Sequence, residues 1–97
     1  MADDAEGKEP PGLTVFKAIN KTRKEILVGT TIFGMHQLIE QHRVARPPAI
    51  SHWKQSDKVD YRSIKVNLPV EDAVELVETC AQNLTRTSGW KVLRQRA

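Results

Sequence analysis

Between Pro69 and Gly89 the chain carries a long segment that is apolar on one side only, and the rest of the sequence has to supply a surface to cover it. Val70, Ala73, Val74, Val77, Cys80, Ala81 and Leu84 recur at steps of three and four residues, the spacing of a single helix face. Pro69 opens this helix, Glu71 and Asp72 sit in its first turn where they complement the dipole, and Thr87-Ser88-Gly89 ends it.

The partner surface comes from strands. Leu13 to Ile19 is rich in apolar and β-branched residues, as is Glu25 to Thr31, and the polar run Asn20-Lys21-Thr22-Arg23-Lys24 between them predicts an antiparallel hairpin. Gly29 inside the second strand marks a bulge or a close approach of another backbone or a ligand. Met35 to Val44 predicts a short amphipathic helix, apolar at Met35, Leu38, Ile39 and Val44 and stopped by Pro47-Pro48. Ala49 to Lys54 adds a further helical turn with Pro48 at its start. Gln55 to Asp60 is a polar loop. Tyr61 to Leu68 alternates as a third strand with one buried face, and Trp90 to Leu93 forms a short last strand. The expected fold is α+β: a small, mainly antiparallel sheet in the order ββα(α)βαβ, flanked by helices. Residues 1–12 are polar, acidic and end in Pro10-Pro11-Gly12, and read as a disordered leader ahead of a single domain over residues 13–97.

Composition narrows the function classes. An apolar fraction of 39% with no run near the roughly 20 residues that span a bilayer predicts no membrane partner. The acidic start lacks a signal-peptide pattern, and one cysteine forms no internal disulfide, so the expected compartment is the cytoplasm. The net charge is +3, but Asp3, Asp4, Glu6 and Glu9 lie in the leader and Glu71, Asp72, Glu75 and Glu78 on the long helix. The remaining surface is therefore strongly basic. Such a surface attracts phosphate, though it also serves solubility alone.

The order of the hairpin motifs is similar to that of the GIY-YIG endonucleases. Thr14-Val15-Phe16 stands where that family has Gly-Ile-Tyr, and Leu27-Val28-Gly29 where it has Tyr-Ile-Gly, with the ten residues Lys17 to Ile26 between them. Gly29-Thr30-Thr31, a helix ending Glu40-Gln41-His42, and a later helix beginning Glu71-Asp72-Ala73 continue the resemblance over about Leu13 to Leu93. The resemblance implies a GIY-YIG-like fold and a phosphodiester chemistry that uses two tyrosines, a helix arginine and a metal-binding glutamate. Here Phe16 and Leu27 replace the tyrosines, Leu38 (or Gln37, one residue earlier) stands at the arginine position and Val77 at the glutamate position, while Gly29 and His42 match. Hydrocarbon side chains neither move protons nor stabilise a phosphate transition state. No catalytic residue, metal or cofactor is therefore expected, and magnesium is implied only if nuclease activity survives.

The leading expectation is a catalytically inactive GIY-YIG-like domain that binds DNA, RNA or a nucleic-acid-associated partner. The candidate binding residues are Lys17, Lys21, Arg23 and Lys24 at the hairpin, Arg43 near the end of the first helix and Arg46 just after it, and Trp53 beside two prolines. Each has a plainer reading: lysines guard an edge strand, Arg43 is solvated, and Trp53 closes the edge of a small core. His42 is explained by the helix dipole, Cys80 by a small apolar site, Glu78 by an exposed acidic stripe, and Thr30-Thr31 by a helix cap. A protein-interaction module is the alternative, and a divergent metal-dependent nuclease built on His42, Arg43 and Glu78 the second alternative.

Overall fold

A computed structural model describes residues 12–95; the expected leader lies outside them except for Gly12. The elements in order are β1 (Leu13–Asn20), β2 (Glu25–Thr31), α1 (Met35–Val44), a 3-10 turn (Pro48–Ile50), β3 (Val59–Leu68), α2 (Val70–Ser88) and β4 (Lys91–Gln95). They form a small α+β domain around one four-stranded sheet in the order β3-β1-β2-β4. β1 pairs antiparallel with both β2 and β3, whereas β4 runs parallel to β2, so the sheet is mixed. The β3-α2-β4 connection crosses the sheet from one edge to the other.

The central strands are buried on both faces, which explains why LTVFKAI and EILVGTT read as nearly continuous apolar runs. Alternation sends Val15, Ile26 and Val28 to one face, where they meet Ala73, Val77 and Ala81 of α2. Phe16, Ala18 and Leu27 point to the other face and pack on Leu38 of α1, Ile50 of the 3-10 turn and Trp53. Gly89 closes α2 in the left-handed conformation (φ 72°), the usual role of glycine at a helix end. Arg94 of β4 pairs with Glu78 of α2 at 2.7 Å, a partly exposed contact that adds little energy.

Three local expectations are corrected. β3 does not bury a single face: Val59 and Tyr61 pack toward α1, while Ile64 and Leu68 pack toward α2. It is an edge strand with a register irregularity opposite Val15 and Phe16, so neither side is fully covered and Val66 is exposed. Val44 lies on the solvent side of α1 (87% exposed), because the helix meets the sheet through Leu38 and His42. Neither Thr30 nor Thr31 caps α1. Both are buried, the N-cap is Gly34, and Thr31 Oγ1 accepts a hydrogen bond from the Phe33 backbone N–H. Gly29 marks a close approach rather than a bulge: a Cβ there would lie 2.7 Å from the Gln95 carbonyl oxygen of β4.

Candidate nucleic-acid interface

The positions that match the nuclease motifs do not meet as a polar site. Phe16, Leu27 and Leu38 are hydrocarbon buried between the sheet and α1. His42 joins them from the last turn of α1, 6.1 Å ring-to-ring from Phe16. Val77 is fully buried on the opposite face of the sheet, beneath α2. A side chain there is separated from His42 by the sheet itself. Among the described residues, no group of three or more His, Cys, Asp or Glu side chains is disposed to hold a metal ion.

A different convergence occurs at the hairpin end of the sheet, organised by Asp57. Its Oδ2 accepts hydrogen bonds from Asn20 Nδ2 (2.9 Å), Arg23 Nε (2.6 Å) and the Lys54 backbone N–H (3.1 Å). Those bonds, led by the one from Asn20, hold the Asp57 carboxyl down at about 2 against an ordinary 3.8. Asn20 is itself fully buried and accepts from the Arg23 backbone N–H, closing the hairpin turn as an Asn side chain does at the first turn position. Two further bonds stitch the turn to the loop: Lys21 N–H to the Lys58 carbonyl (2.8 Å), and Lys58 N–H to Thr22 Oγ1 (2.9 Å). Gln55 Nε2 donates to the Arg43 carbonyl, fastening the end of α1 to the same loop.

The result is a basic rim drawn from three distant segments. Lys21, Arg23 and Lys24 come from the hairpin turn, Lys54 and Lys58 from the loop, and Arg43 and Arg46 from the end of α1 and the residues after it. Arg23 is paired with Asp57 and Arg43 with Glu40, whereas no carboxylate partner occurs for Lys21, Lys24, Arg46, Lys54 or Lys58 among the described residues. Lys54 and Lys58 escaped the sequence reading: Lys54 ends the helical turn expected over Ala49 to Lys54, and Lys58 lies in the polar loop expected over Gln55 to Asp60. Lys17 does not join the rim: it sits between Phe16 and Ala18 on β1 and belongs to the α2 face with Val15 and Ile19.

Inside the rim a cleft of about 540 Å³ opens between α1, the 54–58 loop and the start of β3. His42 and Tyr61 form its polar floor, with Nδ1 and Oη 2.8 Å apart and the rings 5.6 Å apart. Burial pushes His42 below its ordinary value, and the nearby Arg46 charge pushes it the same way. Burial pushes the Tyr61 hydroxyl up, and Arg46 only partly opposes this. Both groups are thus neutral at pH 7. The helix dipole, which the sequence suggested for His42, is secondary to this burial and to the tyrosine partner.

Trp53 does not offer its ring for stacking. It is only 3% exposed, packs with Phe16 and Ile50, and donates its indole N–H to Glu25 Oε1 at 2.7 Å. His52 Nε2 meets the same oxygen at 2.6 Å. Burial pushes the Glu25 carboxyl up, but these two hydrogen bonds and the charges of His52 and Lys91 outweigh it and leave it below the ordinary range. Trp53 therefore fixes the loop that carries Lys54 and Lys58, which agrees with the plainer reading that it closes the edge of a core and removes it as a base-stacking candidate.

Comparison of the chain with protein-family models, with curated proteins and with solved structures returned no match in any of the three. No helix among the described residues is long and apolar enough to cross a membrane.

Proposed function

We propose that this domain binds nucleic acid through the sugar-phosphate backbone along the basic rim and does not cleave it, as a GIY-YIG-like domain whose catalytic positions have become core. The observation that supports this reading is the fastening of the hairpin turn, the 54–58 loop and the end of α1 into one cationic edge around Asp57. Cations held on a rigid frame and left without carboxylate partners release counterions when phosphate docks, which is the sequence-independent part of nucleic-acid affinity. The acidic residues Glu71, Asp72 and Glu75 are exposed on α2, across the sheet, and repel phosphate from that side.

The test is fluorescence anisotropy of end-labelled DNA and RNA over a range of salt. Intrinsic fluorescence is a poor reporter, since Trp53 is buried and Trp90 packs on the α2 side. The replacement of Lys21, Lys24, Lys54 and Lys58 by alanine lowers the slope of log affinity against log salt by up to about 3–4 on duplex, at roughly 0.9 per phosphate contact. Arg23 is left intact because its loss unpairs Asp57. An unchanged slope in the quadruple variant rules out the rim as the contact surface.

A further inference from the structure

The cleft inside the rim differs from the rim in kind, because its charges are unevenly matched. Its two carboxylates are already occupied: Asp57 by Asn20, Arg23 and the Lys54 N–H, and Asp60 by Arg62 at 3.0 Å. Arg43 is paired with Glu40 along α1. Arg46 and Lys54 line the cleft with no carboxylate partner among the described residues. The uncompensated charge inside the cleft is therefore positive.

The floor adds a directional donor. A neutral histidine and a neutral tyrosine carry two acidic protons between them, and their shared hydrogen bond uses one. If Tyr61 donates to Nδ1, the other ring nitrogen of His42 carries the remaining N–H. If His42 donates from Nδ1, the Tyr61 hydroxyl proton is the one left. In either arrangement the pair presents one donor beyond the bond it makes internally, and His42 is only 6% exposed, so that donor is held in place by the core. An unpaired guanidinium beside such a donor is a match for an oxyanion.

The cleft is larger than a bare anion needs. About 540 Å³ lies within the range of pockets that bury a small organic ligand, and the remaining wall is supplied by Ile39, Val59 and the edge of Trp53. A phosphate on Arg46 leaves that apolar wall for a flat, weakly polar body. We infer that the cleft between α1, the 54–58 loop and β3 is a binding site for a single nucleotide bearing a terminal phosphate, with the phosphate on Arg46 and the His42–Tyr61 pair and the base against Ile39 and Val59. The inference deepens the proposed function and takes the class of ligand from it: backbone phosphates lie on the rim, and a chain end or a free nucleotide enters the cleft.

The experiment is a titration of the isotope-labelled protein with adenosine 5′-monophosphate, adenosine and inorganic phosphate, followed by amide chemical shifts. In parallel, decanucleotides with and without a 5′-phosphate are bound by anisotropy. The monophosphate shifts amides of the residues around Arg46, Gln55 and Tyr61, and binds at least about tenfold more tightly than adenosine or phosphate alone. Arg46→Gln and Tyr61→Phe each weaken it by about tenfold or more while leaving the rest of the spectrum in place. A 5′-phosphate that tightens decanucleotide binding identifies the natural source as a strand end; equal binding of the two decanucleotides, with the monophosphate still bound, identifies it as a free nucleotide. No cleft shifts with the monophosphate, or shifts unaltered by both substitutions, overturns the inference. Salt-sensitive decanucleotide binding alongside that failure leaves the rim reading standing, whereas monophosphate binding without decanucleotide binding removes the rim reading and keeps the cleft.

Discussion

Replacing Val77 by glutamate puts a carboxylate back at the position where a nuclease of the resembling family holds its metal, and the structure gives a definite cost for doing so. Val77 is fully buried beneath α2 among Val15, Ile26, Val28, Ala73 and Ala81, with only apolar neighbours in that cluster. Losing its burial costs about 1.5–3 kcal/mol. The introduced carboxyl has no partner there and takes up a proton instead of ionising, which against an ordinary value near 4.3 costs about 4 kcal/mol at pH 7. The total is about 5–7 kcal/mol, comparable to the whole stability of a domain this size, roughly 5–15 kcal/mol. Its folded pKa lies above its unfolded value, so stability is regained as pH falls and lost as pH rises. Urea unfolding of Val77→Glu at pH 5 and pH 7, followed by Trp53 on one face of the sheet and Trp90 on the other, measures both effects. Val77→Ala serves as the size control and costs about 2 kcal/mol at either pH. A Val77→Glu protein with the parental midpoint at pH 7, or one stabilised by magnesium, would mean that α2 presents this position to the motif face, and the assignment of the two faces would fall.

Other consequences follow from particular contacts. Gly29→Ala drives a Cβ to 2.7 Å from the Gln95 carbonyl and 3.2 Å from the Phe16 ring, so β4 has to shift; the expected loss is about 1–3 kcal/mol, read as a lower melting temperature. Asp57 is held at about 2 in the folded chain against 3.8 ordinarily, so its contribution is fully present above about pH 4 and lost as pH falls through about 2. Asp57→Asn removes that acid-limb dependence in urea midpoints measured from pH 5 to 2, and an acid limb identical to the parent's would show that the Asn20–Arg23–Asp57 junction does not form. His42 is held neutral below its ordinary 6.5, so its share of stability is present above about pH 6.5 and declines as pH falls; Tyr61→Phe, which removes the phenol beside Nδ1, alters the His42 titration seen in its ring proton shifts, and an unaltered titration refutes the pairing.

The sequence was most informative where local pattern and burial agree. The bounds of α1 were readable as Met35 to Val44 because Pro47-Pro48 stops the helix and the polar-apolar spacing starts it. The hairpin and α2 were readable for the same kind of reason: turn residues between two apolar runs, and a three-and-four repeat between Pro69 and Gly89. The outer strands were less so. β3 is at an edge and half-covered on both sides, which blurs the alternation that marks a strand buried on one face, and β4 extends to Gln95 rather than stopping at Leu93. The candidate site was legible only in part. Lys21, Arg23, Lys24, Arg43 and Arg46 were identifiable as cations, but the agent that assembles them, Asp57, lies 37 residues from Asn20 and 34 from Arg23. Nothing local in Ser56-Asp57-Lys58 announces those partners. For Trp53 beside two prolines, base stacking and closure of a small core were both readable, but its partner Glu25, 28 residues away, was not.

The most direct test of nucleic-acid binding by the rim is an amide chemical-shift map of the labelled protein with a short duplex DNA at low salt. Binding along the rim gives shifts confined to the hairpin turn around Lys21 and Lys24, the loop around Lys54 and Lys58 and the end of α1 near Arg43 and Arg46, all collapsing as salt is raised. Shifts centred on α2 between Glu71 and Glu78, or no shifts at low salt, contradict it.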